Sequence, residues 1–168
     1  MTTTIEIGRL GTPLGALEVA VHEGALVLLK FDDRWATGVD DLARRFPDAE
    51  VIATDDPGGV VSTLRAYFDG NVRAIDDVRV DVAGTPFQEA VWKALRDVPA
   101  GETTTYGEIA RRIGAPKAVR AVGTAVGKNP VGVVVPCHRI VPSSGGIGSY
   151  GGGVDRKAWF LDHEQRHA

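Results

Sequence analysis

The chain has 168 residues, a net charge of −3 and a single cysteine. That length allows one or two small domains with a sizeable core, and one cysteine excludes an internal disulfide. No apolar run is long enough to span a bilayer and the N-terminus lacks the layout of a secretion signal, so a cytoplasmic protein is expected.

Residues 5–7 and 17–21 alternate apolar and polar, with Gly11-Thr12-Pro13-Leu14-Gly15 as the turn of a hairpin. Residues 25–31, after a Glu23-Gly24 turn, read as a third, buried strand. Helices are expected over 40–46 and 60–68, the second with Val61, Leu64, Ala66 and Phe68 around an apolar stripe. Asp55-Asp56-Pro57-Gly58-Gly59 is a loop, and 79–84 bridges to a second domain. Nothing in residues 1–80 carries chemistry, so that domain is assigned a structural role.

The second half, 81–168, is clearly punctuated. Thr85-Pro86-Phe87-Gln88 is a capping box with proline at the first helical position, opening a helix with Phe87, Val91 and Leu95 on one face and Trp92 beside them. Thr105-Tyr106-Gly107-Glu108 is a second capping box, and Gly114 ends its helix. Pro116 opens a third helix running to about Gly127. Two short helices joined at Gly114-Ala115 make a helix-turn-helix candidate, although periodicity alone equally allows a plain helical hairpin. On the third helix Val119, Val122, Gly123 and Val126 should face the core. Ala121, Thr124 and Ala125 are small, and Arg120, Lys117 and Lys128 add positive charge, a surface suited to close approach to a nucleic-acid groove. Charge distribution agrees: 1–80 hold 8 Lys/Arg against 14 Asp/Glu, whereas 81–168 hold 11 against 8.

Pro136-Cys137-His138-Arg139-Ile140 holds the only cysteine. The β-branched run 131–135 reads as a buried strand that Pro136 stops, placing Cys137 at a strand end beside His138. An imidazole network can make such a thiol a nucleophile, while a lone cysteine also packs as a small hydrophobe; spacing alone favours neither. Near the C-terminus Asp155 can cap a helix in which Phe160 and Leu161 precede Glu164 by four and three residues. A carboxylate that close to an apolar face is costly unless paired.

Asn129-Pro130, then Pro136-Cys137-His138-Arg139, then Tyr150-Gly151-Gly152 resemble the active-site segment of the O6-alkylguanine-DNA alkyltransferases, with similarity from Thr85 to Glu164. The resemblance implies an α/β (α+β) protein: a small N-terminal sheet domain with helices, and a mainly helical C-terminal domain holding the helix-turn-helix and the cysteine. It implies direct reversal of O6-alkylguanine, and of O4-alkylthymine, in duplex DNA. The alkyl group passes irreversibly to Cys137 after the nucleotide is flipped out of the stack, once per molecule and with no cofactor or metal. By the same resemblance His138 takes the thiol proton through a water, Glu164 orients His138, Tyr106 donates to the leaving base, and Asn129 braces the turn. Arg120 takes the place of the everted nucleotide, in a surface with Lys117, Ala121, Gly123, Thr124 and Lys128. Val135, Pro136, Ile140, Ser149, Tyr150 and Gly151 shape the pocket, and Gly132 and Gly151 make it roomier than in many relatives. Some family members hold zinc in the N-terminal domain, which the lone cysteine argues against here. Arg139 reads as a structural ion-pair partner. A monomer in solution is expected, and the sequence leaves open whether it binds DNA cooperatively. A non-catalytic lesion-binding sensor and a cysteine hydrolase using Cys137, His138 and Glu164 are the competing readings.

Overall fold

A computed structural model describes residues 2–168. The chain divides into two compact units, one ending at Val82 and the other spanning Ala83–Ala168.

In the first unit β1 (Thr4–Thr12), β2 (Gly15–His22) and β3 (Ala25–Phe31) form an antiparallel meander, and β4 (Glu50–Ala53) joins β1 in parallel, giving the order β3-β2-β1-β4. The hairpin turn is where its glycines and proline put it, but β1 is longer than the alternating residues 5–7 suggest. β4 went unrecognised because all four of its residues are exposed, leaving no burial pattern to read. Helix α1 (Trp35–Arg45) starts earlier than residue 40 and covers one face of the sheet, where Trp35, Leu42 and Phe46 pack on Ile5, Ala20, Val27 and Leu28. A Cβ at Gly38 would lie 2.5 Å from Leu28 Cδ1, so glycine is what lets α1 approach β3. In α2 (Val60–Phe68) the buried residues are Val60, Val61, Leu64 and Tyr67; Ala66 and Phe68, assigned to the stripe from sequence, are half-buried.

The second unit begins with α3 (Pro86–Arg96). Its capping box is complete: Gln88 N donates to Thr85 Oγ1 (3.1 Å) and Thr85 N to Gln88 Oε1 (3.0 Å). Next come β5 (Thr104–Thr105) and α4 (Tyr106–Arg112). Here only half of the second box forms: Glu108 N donates to Thr105 Oγ1, while the Glu108 carboxylate pairs with Arg111 and Arg112. Helix α5 (Val119–Gly127) begins three residues later than the proline suggested, because residues 116–118 stay in a turn; Lys117 therefore precedes the helix. Its faces also differ from those the periodicity predicts. Val122 and Ala125 are buried, Gly123 and Val126 are half-buried, and Val119 is 41% exposed, so Val119 leaves the core set and Ala125 enters it. The Ala125 carbonyl accepts the Trp92 indole N–H at 2.9 Å, tying α5 to α3.

The strand expected over 131–135 is absent. The run is a buried turn in which Val135 N donates to Val131 O (3.0 Å) and Val133 adopts φ 71°. Its backbone groups are satisfied locally: Asn129 Nδ2 donates to Val135 O (2.8 Å) and Val131 N donates to Asn129 Oδ1 (3.0 Å). A short β6 (Ile140–Val141) then pairs in parallel with β5, and α6 (Val154–His167) closes the unit with Gly153, not Asp155, at its N-cap. Among the described residues no helix is long and apolar enough to cross a membrane.

Candidate active site

Cys137 is half-buried and opens a single 3-10 turn, Cys137–Arg139, rather than ending a strand. Cys137 N donates to Val135 O (2.8 Å) and Arg139 N to Pro136 O (3.0 Å). The tight turn leaves Cys137 half-buried while the next two side chains are inside the unit: His138 is fully buried and Arg139 is 2% exposed.

Both inward side chains converge on Glu164 of α6. His138 Nε2 lies 2.7 Å from Glu164 Oε2; Arg139 Nε donates to Oε1 (2.7 Å) and Nη2 to Oε2 (3.0 Å), while Nη1 donates to Val98 O (2.6 Å). Burial pushes the Glu164 carboxyl up, but the charges and hydrogen bonds of His138 and Arg139 outweigh it, leaving a pKa of about 2. Glu164 is therefore an anion at neutral pH and can only accept. Burial holds His138 below its ordinary value of 6.5, against the pull of Glu164. A neutral imidazole facing a carboxylate through Nε2 carries its proton there, so its lone pair is on Nδ1. Nδ1 is buried and has no hydrogen-bond partner in the protein. The imidazole is thus oriented as a base by the shared carboxylate, and the charge of Arg139 is compensated in place.

Tyr106 is the first residue of α4. Burial, then the nearby charge of Cys137, raise its phenol above 10, while a hydrogen bond with Ser149 opposes them. A Cβ at Gly123 of α5 would lie 3.8 Å from the Tyr106 ring. Gly123 and Arg120 are one helical turn apart, so the exposed side of α5 runs up to the phenol. Arg120, Ala121, Thr124, Lys117 and Lys128 are all exposed, and Thr124 Oγ1 donates to Arg120 O (3.2 Å). Val135, Pro136 and Ile140 are buried, whereas Ser149 and Gly151 are exposed and Tyr150 is half-buried.

Lys157 is the site residue that sequence reasoning overlooked. It is buried, and its Nζ donates to the carbonyls of Ile140 (2.7 Å) and Ser149 (3.2 Å), joining the end of the cysteine turn to the following loop. Burial lowers its pKa, partly offset by Cys137. The available signal was its spacing: Lys157, Phe160 and Glu164 share one face of α6, and two charged residues on a face centred on a buried Phe160 imply internal partners.

A thiol at the mouth of a buried imidazole–carboxylate pair, in the same unit as two short helices joined by a tight turn, defines a cysteine site on a helix-turn-helix scaffold. Residues 86–166 match the DNA binding domain of 6-O-methylguanine DNA methyltransferase, and residues 7–82 match the ribonuclease-like domain of that family. The methylated-DNA–protein-cysteine methyltransferase of Shigella flexneri is 42% identical over 160 residues, covering 93% of each chain. Its namesake in Mycobacterium bovis is 43% identical over 167 residues, covering 98% of this chain and 94% of the relative. The crystal structure of Mycobacterium tuberculosis O6-methylguanine methyltransferase superposes with a TM-score of 0.81 at 38% identity, covering 98% of this chain and 94% of that one. A structure of Mycobacterium tuberculosis OGT in complex with DNA gives 0.80 at 37%, covering 97% and 94%. The chain belongs to the O6-methylguanine-DNA methyltransferase family.

Proposed function

We propose that this protein repairs alkylated DNA by moving the alkyl group from O6 of guanine, or O4 of thymine, to Cys137. The observation that carries this reading is the buried His138–Glu164 contact of 2.7 Å directly behind Cys137, which leaves Nδ1 as the basic atom. The thiol proton passes to Nδ1 through a bridging water, and Glu164 stabilises the imidazolium that forms. The thiolate then attacks the alkyl carbon: the Sγ–C bond forms, the C–O6 bond breaks, and its electron pair stays on the base. Tyr106 donates to the departing guanine, offsetting the charge that develops there. The proton held by His138 balances the one the base finally gains. The product is a thioether, whose C–S bond neither water nor a thiol cleaves near neutral pH, so Cys137, the single cysteine in the chain, is used up and each molecule acts once.

The alkyl carbon of a stacked base lies out of line for this attack, so the nucleotide must leave the duplex at a cost of a few kcal/mol. Arg120, exposed on the α5 face that reaches Tyr106, fills the gap. Ala121 and Gly123 allow the helix to approach closely, and Lys117 and Lys128 meet phosphates. The structure of the Mycobacterium tuberculosis relative in complex with DNA supports DNA as the partner. The protein acts as a monomer in the cytoplasm, residues 1–80 as scaffold and 81–168 as the DNA-binding and transfer domain.

Cys137→Ser tests the assignment. It should bind O6-methylguanine duplex with affinity close to that of the parent while transferring no alkyl group. Transfer by the variant would place the acceptor elsewhere.

A further inference from the structure

The loop after the cysteine turn brings a second hydroxyl to the nucleophile. The Tyr150 ring stands edge-on to Phe160, with centroids 6.3 Å apart. Gly152 lies under the ring, where a Cβ would be 2.9 Å from Cε2, so glycine is required for the ring to sit there. The Tyr150 hydroxyl lies 4.0 Å from the point where a Cβ would stand on Gly132, and in that position it hydrogen-bonds Cys137. Lys157 secures the geometry from behind, because its ammonium holds the Ser149 carbonyl, one residue before Tyr150, and the Ile140 carbonyl at the end of the cysteine turn.

We propose that Tyr150 is a catalytic donor on the nucleophile, its hydroxyl holding the Cys137 thiolate by a direct hydrogen bond, with Lys157 as the residue that positions it. The proposal rests on Cys137 being the alkyl acceptor. Burial and the Cys137 charge push the Tyr150 phenol well above its ordinary value of 10, so it keeps its own proton. It donates a hydrogen bond to the thiolate, whereas the thiol proton itself goes to His138. When Sγ gains the alkyl carbon and the C–O6 electron pair leaves with the base, the sulfur becomes a neutral, poor acceptor, and the hydroxyl is released. The groups that face Cys137 or act on Tyr150 are His138 beside it, Tyr106 from α4, Lys157, Arg156 and Glu164 from α6. Tyr150 combines a hydrogen bond to Cys137 with a proton it does not lose.

Tyr150→Phe keeps the ring on Phe160 and removes only the hydroxyl. Two readouts apply: the pH midpoint of thiolate ultraviolet absorbance, which needs no substrate, and the single-turnover rate with free O6-alkylguanine base, which needs no flipping. The variant should show a midpoint about one pH unit higher and transfer about tenfold slower near neutrality, with the two rates converging at high pH. Lys157→Met removes a charge near Cys137 as well as the anchor of the loop, so it should raise the midpoint more in the parent than in the Tyr150→Phe background; equal shifts in the two backgrounds would show that Lys157 acts on the sulfur by charge alone and does not position Tyr150. An unchanged midpoint in Tyr150→Phe, or an equal rate loss at every pH, would overturn the proposal. A parent protein whose thiolate titrates but which transfers no alkyl group would instead overturn the assignment of Cys137 as acceptor.

Discussion

Glu164→Gln separates the electrostatic role of this residue from its size. The carboxylate accepts from His138 Nε2, Arg139 Nε and Arg139 Nη2 at 2.7, 2.7 and 3.0 Å. A carboxamide has one oxygen and one N–H donor pair. Arg139 offers only donors, so the oxygen turns to Arg139 and the NH2 group to His138. His138 Nε2 must then accept, the imidazole proton moves to Nδ1, and the base is lost. Single-turnover transfer near neutral pH should fall about a hundredfold or more, recovering as pH rises toward about 8.5, where an unassisted thiol ionises. Stability should fall as well. Removing one partner of a buried pair costs about 3–5 kcal/mol, or roughly 12–40 °C in melting temperature for a unit of this size, so rates must be measured well below the lowered transition. Acid titration supplies an independent check. The folded pKa of Glu164, about 2, lies below its ordinary 4.5, so its stabilisation is fully present above pH 4.5 and is lost as pH falls toward 2. At 1.36 kcal/mol per pH unit that difference is about 3 kcal/mol. His138, held below 6.5, acts with the same sign: from about 6.5 downward the unfolded chain takes up the proton first, and stability falls. Chemical denaturation against pH should show both limbs in the parent and lose the lower one in Glu164→Gln. Unchanged transfer rates would remove Glu164 from the proton path, and a large stability loss with normal rates would make it a structural ion-pair residue only.

Two further outcomes follow from the same geometry. Arg120→Ala should slow transfer from duplex DNA much more than transfer from free O6-alkylguanine base, because only the duplex needs a filled gap; equal losses would mean that Arg120 supports the fold or pocket. Asn129→Ala strands a buried N–H at Val131 and removes one of the two donors to the Val135 carbonyl, which still accepts from Cys137 N. It should lower stability by about 1–3 kcal/mol in denaturant titration, and a loss below about 0.5 kcal/mol would show that the turn does not depend on Asn129.

The parts of the site set by local chemistry were legible in the sequence. Thr85, Pro86 and Gln88 specify the start of α3 by themselves, and Gly114 marks the end of α4, because caps and turns use contacts within a few residues. The turn at 131–135 was not legible: five apolar residues, four of them valine, signal burial but do not say whether a sheet or a side chain satisfies their backbone. Asn129 satisfies it here, so Cys137 sits on a 3-10 turn behind a loop. The onset of α5 was misplaced for a related reason, since Pro116 suits a turn as well as a first helical position. The convergence of His138 and Arg139 on Glu164 joins residues 26 and 25 positions apart, and composition could say only that such buried charges need partners. Lys157 is the same case with main-chain carbonyls as the partners.

The most direct test of the whole account is a titration of the protein with excess duplex carrying labelled O6-methylguanine, followed by peptide mass analysis. One alkyl group per protein molecule, located on Cys137, with no further transfer at longer times, is the expected result. Continued turnover, or label on any other residue, would contradict it.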